Sequence, residues 1–318
     1  MKKFAAENLK NVYSPYHEPL GTVDPGEVFQ IDTEDGFAGG LRRPEDFTPE
    51  RLAWAEERWC IATGPIAITG ATPHQVVAVK IHAMEVITDG YVIMSHYRSL
   101  SADDWWLPEE LDKVKAYPVV DGHVQFNGRC RIPVNPIIGC LATAPKHEVI
   151  LTRREGEFGG NQDCNLMTSG ATIILPVNVA GGLLYFGDCK AIMAQGEIVN
   201  APECGMRITA SVELRQRSPE MTWPRVETDE ILGTVVSDIN AADACRRAFR
   251  ELMLWLEAET GARRQDVAML MGMVSDTTIC QVSNTFHTAQ CTIPRSYCAV
   301  LAQAGGDPHT MVAANRLT

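Results

Sequence analysis

The chain lacks the short signatures that name a chemistry at once. Its 318 residues hold no Gly-x-Ser-x-Gly elbow, no phosphate-binding Gly-x-x-x-x-Gly-Lys loop, no His-Glu-x-x-His pair and no Gly-x-Gly-x-x-Gly turn. It is also short of positive charge. Lys and Arg number 28 against 40 Asp and Glu, a net charge of −12. Nucleic acid and anionic membrane surfaces both need clustered cations, so neither is an expected partner. Long apolar runs are missing too. The longest, near residues 171–187, is broken by Pro176, Asn178, Gly181 and Gly182, which excludes a helical membrane span. The start, MKKFAAENLK, has no apolar stretch of the kind that directs secretion. Ten cysteines are present, but no two stand at Cys-x-x-Cys spacing and they scatter from Cys60 to Cys298. That pattern excludes a zinc ribbon and predicts reduced, mostly buried thiols in a cytoplasmic protein.

What is present reads mainly as strands. Val77, Val79 and Ile81 alternate with Ala78, Lys80 and His82, the period of a half-buried strand. Met206, Ile208, Ala210, Val212 and Leu214 repeat it, with Arg207, Thr209, Ser211 and Glu213 on the other face. Asp89-Gly90, Asp121-Gly122 and Asn127-Gly128 predict turns. The pattern changes after Pro219. Asn240 is a good helix N-cap, Gly261 a good stop, and Phe249, Leu252, Met253 and Leu256 recur at helical spacing. A helix over 241–260 is predicted, a shorter one over 264–271, and strands near 279–282 and 288–293. The expectation is a mainly β region over 1–218 and an α+β region over 219–318 packed on it. Few helices alternate with strands, which argues against a doubly wound parallel sheet.

One segment is dense in chemistry. Residues 159–205 hold two Gly-Gly steps and the carboxylates Asp163, Asp188, Glu197 and Glu203, all beside turn-forming residues at strand ends. Strand ends are where a rigid scaffold can bring side chains to one point. Carboxylates there can bind a metal, activate water or orient an amide. An Asp beside Gly is also a common turn residue that bonds its own backbone.

At these residues the chain resembles the acetamidase/formamidase family. GEVFQIDTEDGFAGG (26–40) is similar to that family's entry segment. ATGPIAITGATPHQVVAVKI (62–81) and GCLATAP (139–145) resemble its strand-turn-strand and its Gly-x-x-Gly-Val-Ala-Pro turn. FGGNQDCNLMTSGATIILPVNVAGGLLYFGDCKA (158–191) resembles its central signature, and 271–298 its segment of Asp followed by Ser-Gln-Val. The resemblance implies a jelly-roll-like β-sandwich with a smaller α+β part. It implies a homo-oligomer, dimer or higher, and hydrolysis of a small carboxamide to a carboxylate and ammonia. It also implies a divalent metal, zinc above all. The matched positions are Asn161, Asp163, Asp188 and Glu197.

The departures bear on the chemistry. The family reads Gly-Asp-x-His-Ala-x-Gln-Gly-Asp-Gly-Glu where this chain has Gly187-Asp188-Cys189-Lys190-Ala191-Ile192-Met193-Ala194-Gln195-Gly196-Glu197. An ammonium at Lys190 cannot ligate a metal as an imidazole does. Expected metal ligands are Asp163 and Asp188, with His82 or His147 as a substitute imidazole. Glu197 is the expected general base and Lys190 an electrostatic aid to the carbonyl oxygen. Asn161 and Cys189 are the expected substrate contacts. Three alternatives stay open. One is a metal-free site, with Lys190 supporting Cys164 or Cys189 as nucleophile. Another is a larger, acidic or cyclic amide held by Lys190. The third is a binding or assembly subunit without turnover.

Overall fold

The computed structural model describes residues 1–93 and 114–304 of the chain. Two sheets and a helical layer stack in that order. The larger sheet has nine strands, in the order Lys2–Phe4, Val28–Thr33, Met206–Gln216, Gln75–Val86, Thr172–Pro176, Arg225–Glu227, Ile231–Asp238, His287–Pro294 and Asp276–Gln281. The smaller has six: Glu155–Gly156, Gly159–Asn161, Ile137–Ala142, Leu184–Lys190, Ala62–Ile68 and Gly21–Val23. Pairing is antiparallel throughout the two sheets, except where Lys2–Phe4 joins Val28–Thr33 and Gly21–Val23 joins Ala62–Ile68.

The alternation read from the sequence places the core. Met206, Ile208, Ala210 and Val212 turn inward with Val77, Val79 and Ile81 of the neighbouring strand. They meet Ile66, Ile138, Leu141, Leu184 and Phe186 of the smaller sheet. Each of these large apolar side chains contributes about 1.5–3 kcal/mol by leaving water. The opposite face of the larger sheet, through Val76, Ala78, Ile174 and Val236, packs under the Ala241–Thr260 helix. That helix starts where Asn240 Oδ1 accepts the N–H groups of Ala242 and Asp243, and ends at Gly261 with φ +67°. It buries Ala244, Ala248, Leu252, Trp255 and Leu256. The second helix runs Arg264–Val274, about one turn past its expected end at 271.

The mainly β class with a helical C-terminal part is as the sequence implies. The expected division at 218/219, however, falls inside one continuous sheet. Thr172–Pro176 pairs directly with Arg225–Glu227. Residues 305–318, the end of the expected C-terminal region, lie outside the described residues. No described helix is long and apolar enough to cross a membrane.

Candidate active site

The dense segment folds around one point. Lys190 projects from the Leu184–Lys190 strand into a cavity of about 710 Å³. Its Nζ lies 2.5 Å from Asp163 Oδ1, 2.9 Å from Asp188 Oδ2, and 3.5 Å from both Glu197 Oε1 and Glu203 Oε1. All five side chains are buried.

Each carboxylate reaches that point by a local backbone device. Asp163 follows the Gly159–Asn161 strand, and the N–H groups of Gln162 and Asp163 both reach the Gly139 carbonyl, at 3.0 and 3.3 Å. Asp188 lies two residues before Lys190 on the same strand and shares its face. Glu197 sits in a turn whose Gly196 N–H donates to the Cys280 carbonyl. Glu203 is held between Tyr91 and Lys190 by two short bridges. Asp163, Asp188 and Glu197 all have positive φ, at +43°, +52° and +35°. That region costs a non-glycine residue about 1–3 kcal/mol, and such strain collects at functional sites. At Asp188 it also shifts the strand's alternation. Leu184, Phe186 and Cys189 all enter the sandwich core, leaving Asp188 and Lys190 on the cavity side. Two glycines keep the cradle tight. A Cβ on Gly36 would overlap the Asp188 and Glu203 carboxylates, and one on Gly139 would overlap Asp163 and Asp188.

Burial in so negative a setting raises proton affinity. Desolvation, then the Asp163 and Asp188 charges, hold the Glu197 carboxyl well above the usual range, with Lys190 opposing. Glu203 is likewise held well above it, by burial first and the Asp188 charge next. Asp163 is raised by burial, while the Lys190 ammonium pulls it down. Asp163 and Glu197 converge on the same ammonium, at 2.5 and 3.5 Å, and Glu197 is held further above its usual range than Asp163. The four carboxylates hold the Lys190 ammonium charged well above its ordinary range, although burial opposes them. Glu155, also on the cavity wall, is pushed up to about 8 by burial. Among the described residues its Oε2 has no hydrogen-bond partner, and neither has Glu203 Oε2.

These donors do not fit the expected metal. Lys190 Nζ already stands where the four carboxylates converge, and a divalent ion there would meet an ammonium at contact distance. Among the described residues no group of His, Cys, Asp and Glu is arranged to hold a metal ion. His82 is not part of the site. It is exposed on the Gln75–Val86 strand, with Nε2 2.9 Å from Ser211 Oγ. His147 is exposed in a loop.

Other expected residues also move. Cys189 is not a substrate contact. It points into the core, opposite to Lys190, and burial pushes its thiol up to about 12. Cys164 is buried in the same core, its Sγ 3.1 Å from Gln290 Oε1. Neither thiol lines the cavity, so the cysteine-nucleophile alternative has no geometry behind it. Asn161 does line the cavity, but its Oδ1 accepts from Cys140 Sγ and its Nδ2 approaches Cys60 Sγ. The sequence singles out Glu203 only as one of four candidate carboxylates, with no role of its own, and does not mark Glu155. Glu203 at least shares the dense segment. Nothing in the spacing around Glu155 marks it.

Comparison with known proteins follows the same segment. Residues 152–225 match the sequence model of the Acetamidase/Formamidase family, and they include all five members of the cluster. Over this segment the chain is similar to the acetamidase/formamidase family. A crystal structure of a predicted acetamidase/formamidase from Thermoanaerobacter tengcongensis superposes with a TM-score of 0.87 at 28% identity, covering 94% of this chain and 97% of that one. An acetamidase from Yersinia enterocolitica gives 0.82 at 25% identity, covering 93% of each chain. An acetamidase from Bacillus halodurans gives 0.83 at 24% identity, covering 94% and 99%, and shows the same fold. No curated protein sequence matches significantly. The family model and these neighbours all carry the name of an amide hydrolase.

Proposed function

We propose that the chain hydrolyses a small carboxamide to a carboxylate and ammonia, with water as nucleophile and the buried carboxyls as its acid–base groups. The observation that carries this is the convergence of Asp163 and Glu197 on Lys190 Nζ, at 2.5 and 3.5 Å, on the wall of a cavity, with Glu197 held further above its usual range than Asp163. Two like carboxyls whose environments set them to different protonation states supply an acid and a base at one pH. Asp163, with its raised proton affinity, takes the proton from water as it attacks the carbonyl carbon. Glu197, neutral at rest, gives its proton to the departing nitrogen. That is a revision of the base role expected for Glu197, because its resting form is the acid. Passing the proton from Asp163 back to Glu197 resets the pair. Glu203, whose proton affinity burial raises, lines the same cavity and is placed to donate to the carbonyl oxygen as charge develops there. Lys190 pairs with Asp163 and Asp188 at 2.5 and 2.9 Å, and its charge pulls the Asp163 carboxyl down against burial. Its three N–H bonds are shared among four carboxylates, so it is not the donor that polarises the substrate.

The test is Glu197→Gln. Ammonia release from a short amide should fall by about 100-fold or more, the usual size for a general acid–base group, with the melting temperature little changed. Full turnover in a folded variant would remove Glu197 from the mechanism.

A second reading concerns substrate size. The cavity far exceeds an acetamide, and Arg153 and Arg154 line it without an ion pair to any described residue. Arg154 lies over the Phe286 ring instead. A longer amide with a distal carboxylate suits two guanidiniums, which bind that group in paired hydrogen bonds. The expected role of Lys190 in holding such a group passes to these arginines, since Lys190 is enclosed. Acidic amides should then show the higher kcat/KM, with Arg154→Ala raising KM for them and not for neutral ones.

A further inference from the structure

We propose that Lys190 is a built-in cation, its ammonium taking the place of a divalent ion among Asp163, Asp188, Glu197 and Glu203, so that the centre is complete without metal. This rests on the acid–base reading of the same site and adds what neutralises it.

Four observations point the same way. The carboxylates come from separate pieces of chain, and each lies within 3.5 Å of a single atom, Lys190 Nζ. Three of them reach it through left-handed backbone, so the convergence is maintained against local preference. Gly36 and Gly139 press against the carboxylates from behind, which leaves the cluster little room to spread around a second cation. Glu203 Oε2 is buried in the same cradle with no hydrogen-bond partner among the described residues, so the cluster keeps an unused oxygen. The donors are all hard oxygens. Without the ammonium they would form the kind of set that takes a hard or borderline divalent ion. A lysine at the centre occupies that position with one positive charge, three donors and no open coordination site.

The same geometry predicts that removing the side chain creates a metal site. The experiment compares the metal content of purified wild type with Lys190→Ala, and follows the melting temperature of each with Mn²⁺ or Zn²⁺ alone and with a chelator. Wild type should contain well below one ion per chain, and its melting temperature and ammonia release should not respond to chelator. Lys190→Ala should bind one ion per chain and gain several degrees in melting temperature when it is added, because a ligand that binds only the folded state stabilises it. A wild type that holds one ion per chain, or that melts lower in chelator, overturns the proposal. So does a folded Lys190→Ala that takes up no ion. If Lys190→Ala does not fold with or without metal, the chelator melt of wild type decides alone. Failure of the hydrolase reading looks different, as no amide would release ammonia whatever the metal result.

Discussion

The helix-covered face of the larger sheet and the floor of the cavity follow opposite rules. On the helix face, local preference and tertiary need agree. Asn240 caps, Gly261 stops, and Leu252, Trp255 and Leu256 recur at the helical period and are buried against Val76, Ile174 and Val236. At the cavity floor they conflict. Charged groups are buried, three acids sit in left-handed backbone, and one strand changes its inward face at Asp188. The first region is held by apolar contact and can lose any one residue without changing its kind. The second is held by charge compensation around one atom, so its members are not independent. Consistent local choices build the scaffold, and the violations mark where the chemistry is.

Four substitutions sharpen that contrast. The largest effect is expected from Lys190→Met, which keeps the length and removes the charge. Unpairing buried carboxylates costs about 3–5 kcal/mol, measured by denaturant unfolding. The loss should shrink as pH falls, because the carboxyls then take up protons and need no counter-charge. Leu252→Ala should cost about 2–5 kcal/mol by opening a cavity under the helix, at any pH and with kcat unchanged per folded molecule. A pH-dependent loss at Leu252, or a pH-independent one at Lys190, would break the comparison.

Glu155→Gln tests the same rule at the cavity wall. The folded-state carboxyl is raised from the usual 4.5 to about 8, so between those values the native chain holds a proton that the unfolded chain has released. Native stability from this group is full below the lower value and is lost as pH rises through the upper one. Relative to Glu155→Gln, wild type should therefore become less stable across that window and level off above it. Parallel stability curves for the two proteins would contradict this. The smallest effect belongs to Asn240→Ala, about 1 kcal/mol for a lost cap, with no influence on turnover.

The scaffold was more legible in the sequence than the site. Alternation at Met206–Leu214 and the Asn240-to-Gly261 helix depend on neighbours in the chain, and so they can be read there. Asp163, Asp188, Glu197 and Lys190 were found because one glycine-rich segment carries them. The opposite faces expected of the neighbours Cys189 and Lys190 are observed, and that is what removes Cys189 from the cavity. His82 was misplaced because a strand's polar face shows only that it is polar, not which surface it meets. Glu155 reaches the site through sheet pairing with Gly160 and by approaching Gln281, 126 residues away, and no local spacing encodes either. The pairing of Thr172–Pro176 with Arg225–Glu227, across the expected division at 218/219, is likewise long-range and has no local signal.

The central claim is that a neutral carboxyl stands beside an ionised one at the cavity floor. Isotope-edited infrared spectroscopy of glutamate-labelled protein reads this directly, since protonated and ionised carboxyls absorb apart. The account predicts a protonated glutamate band at neutral pH that weakens in Glu197→Gln, with the fold retained. A wild type whose glutamates are all ionised at neutral pH would contradict it.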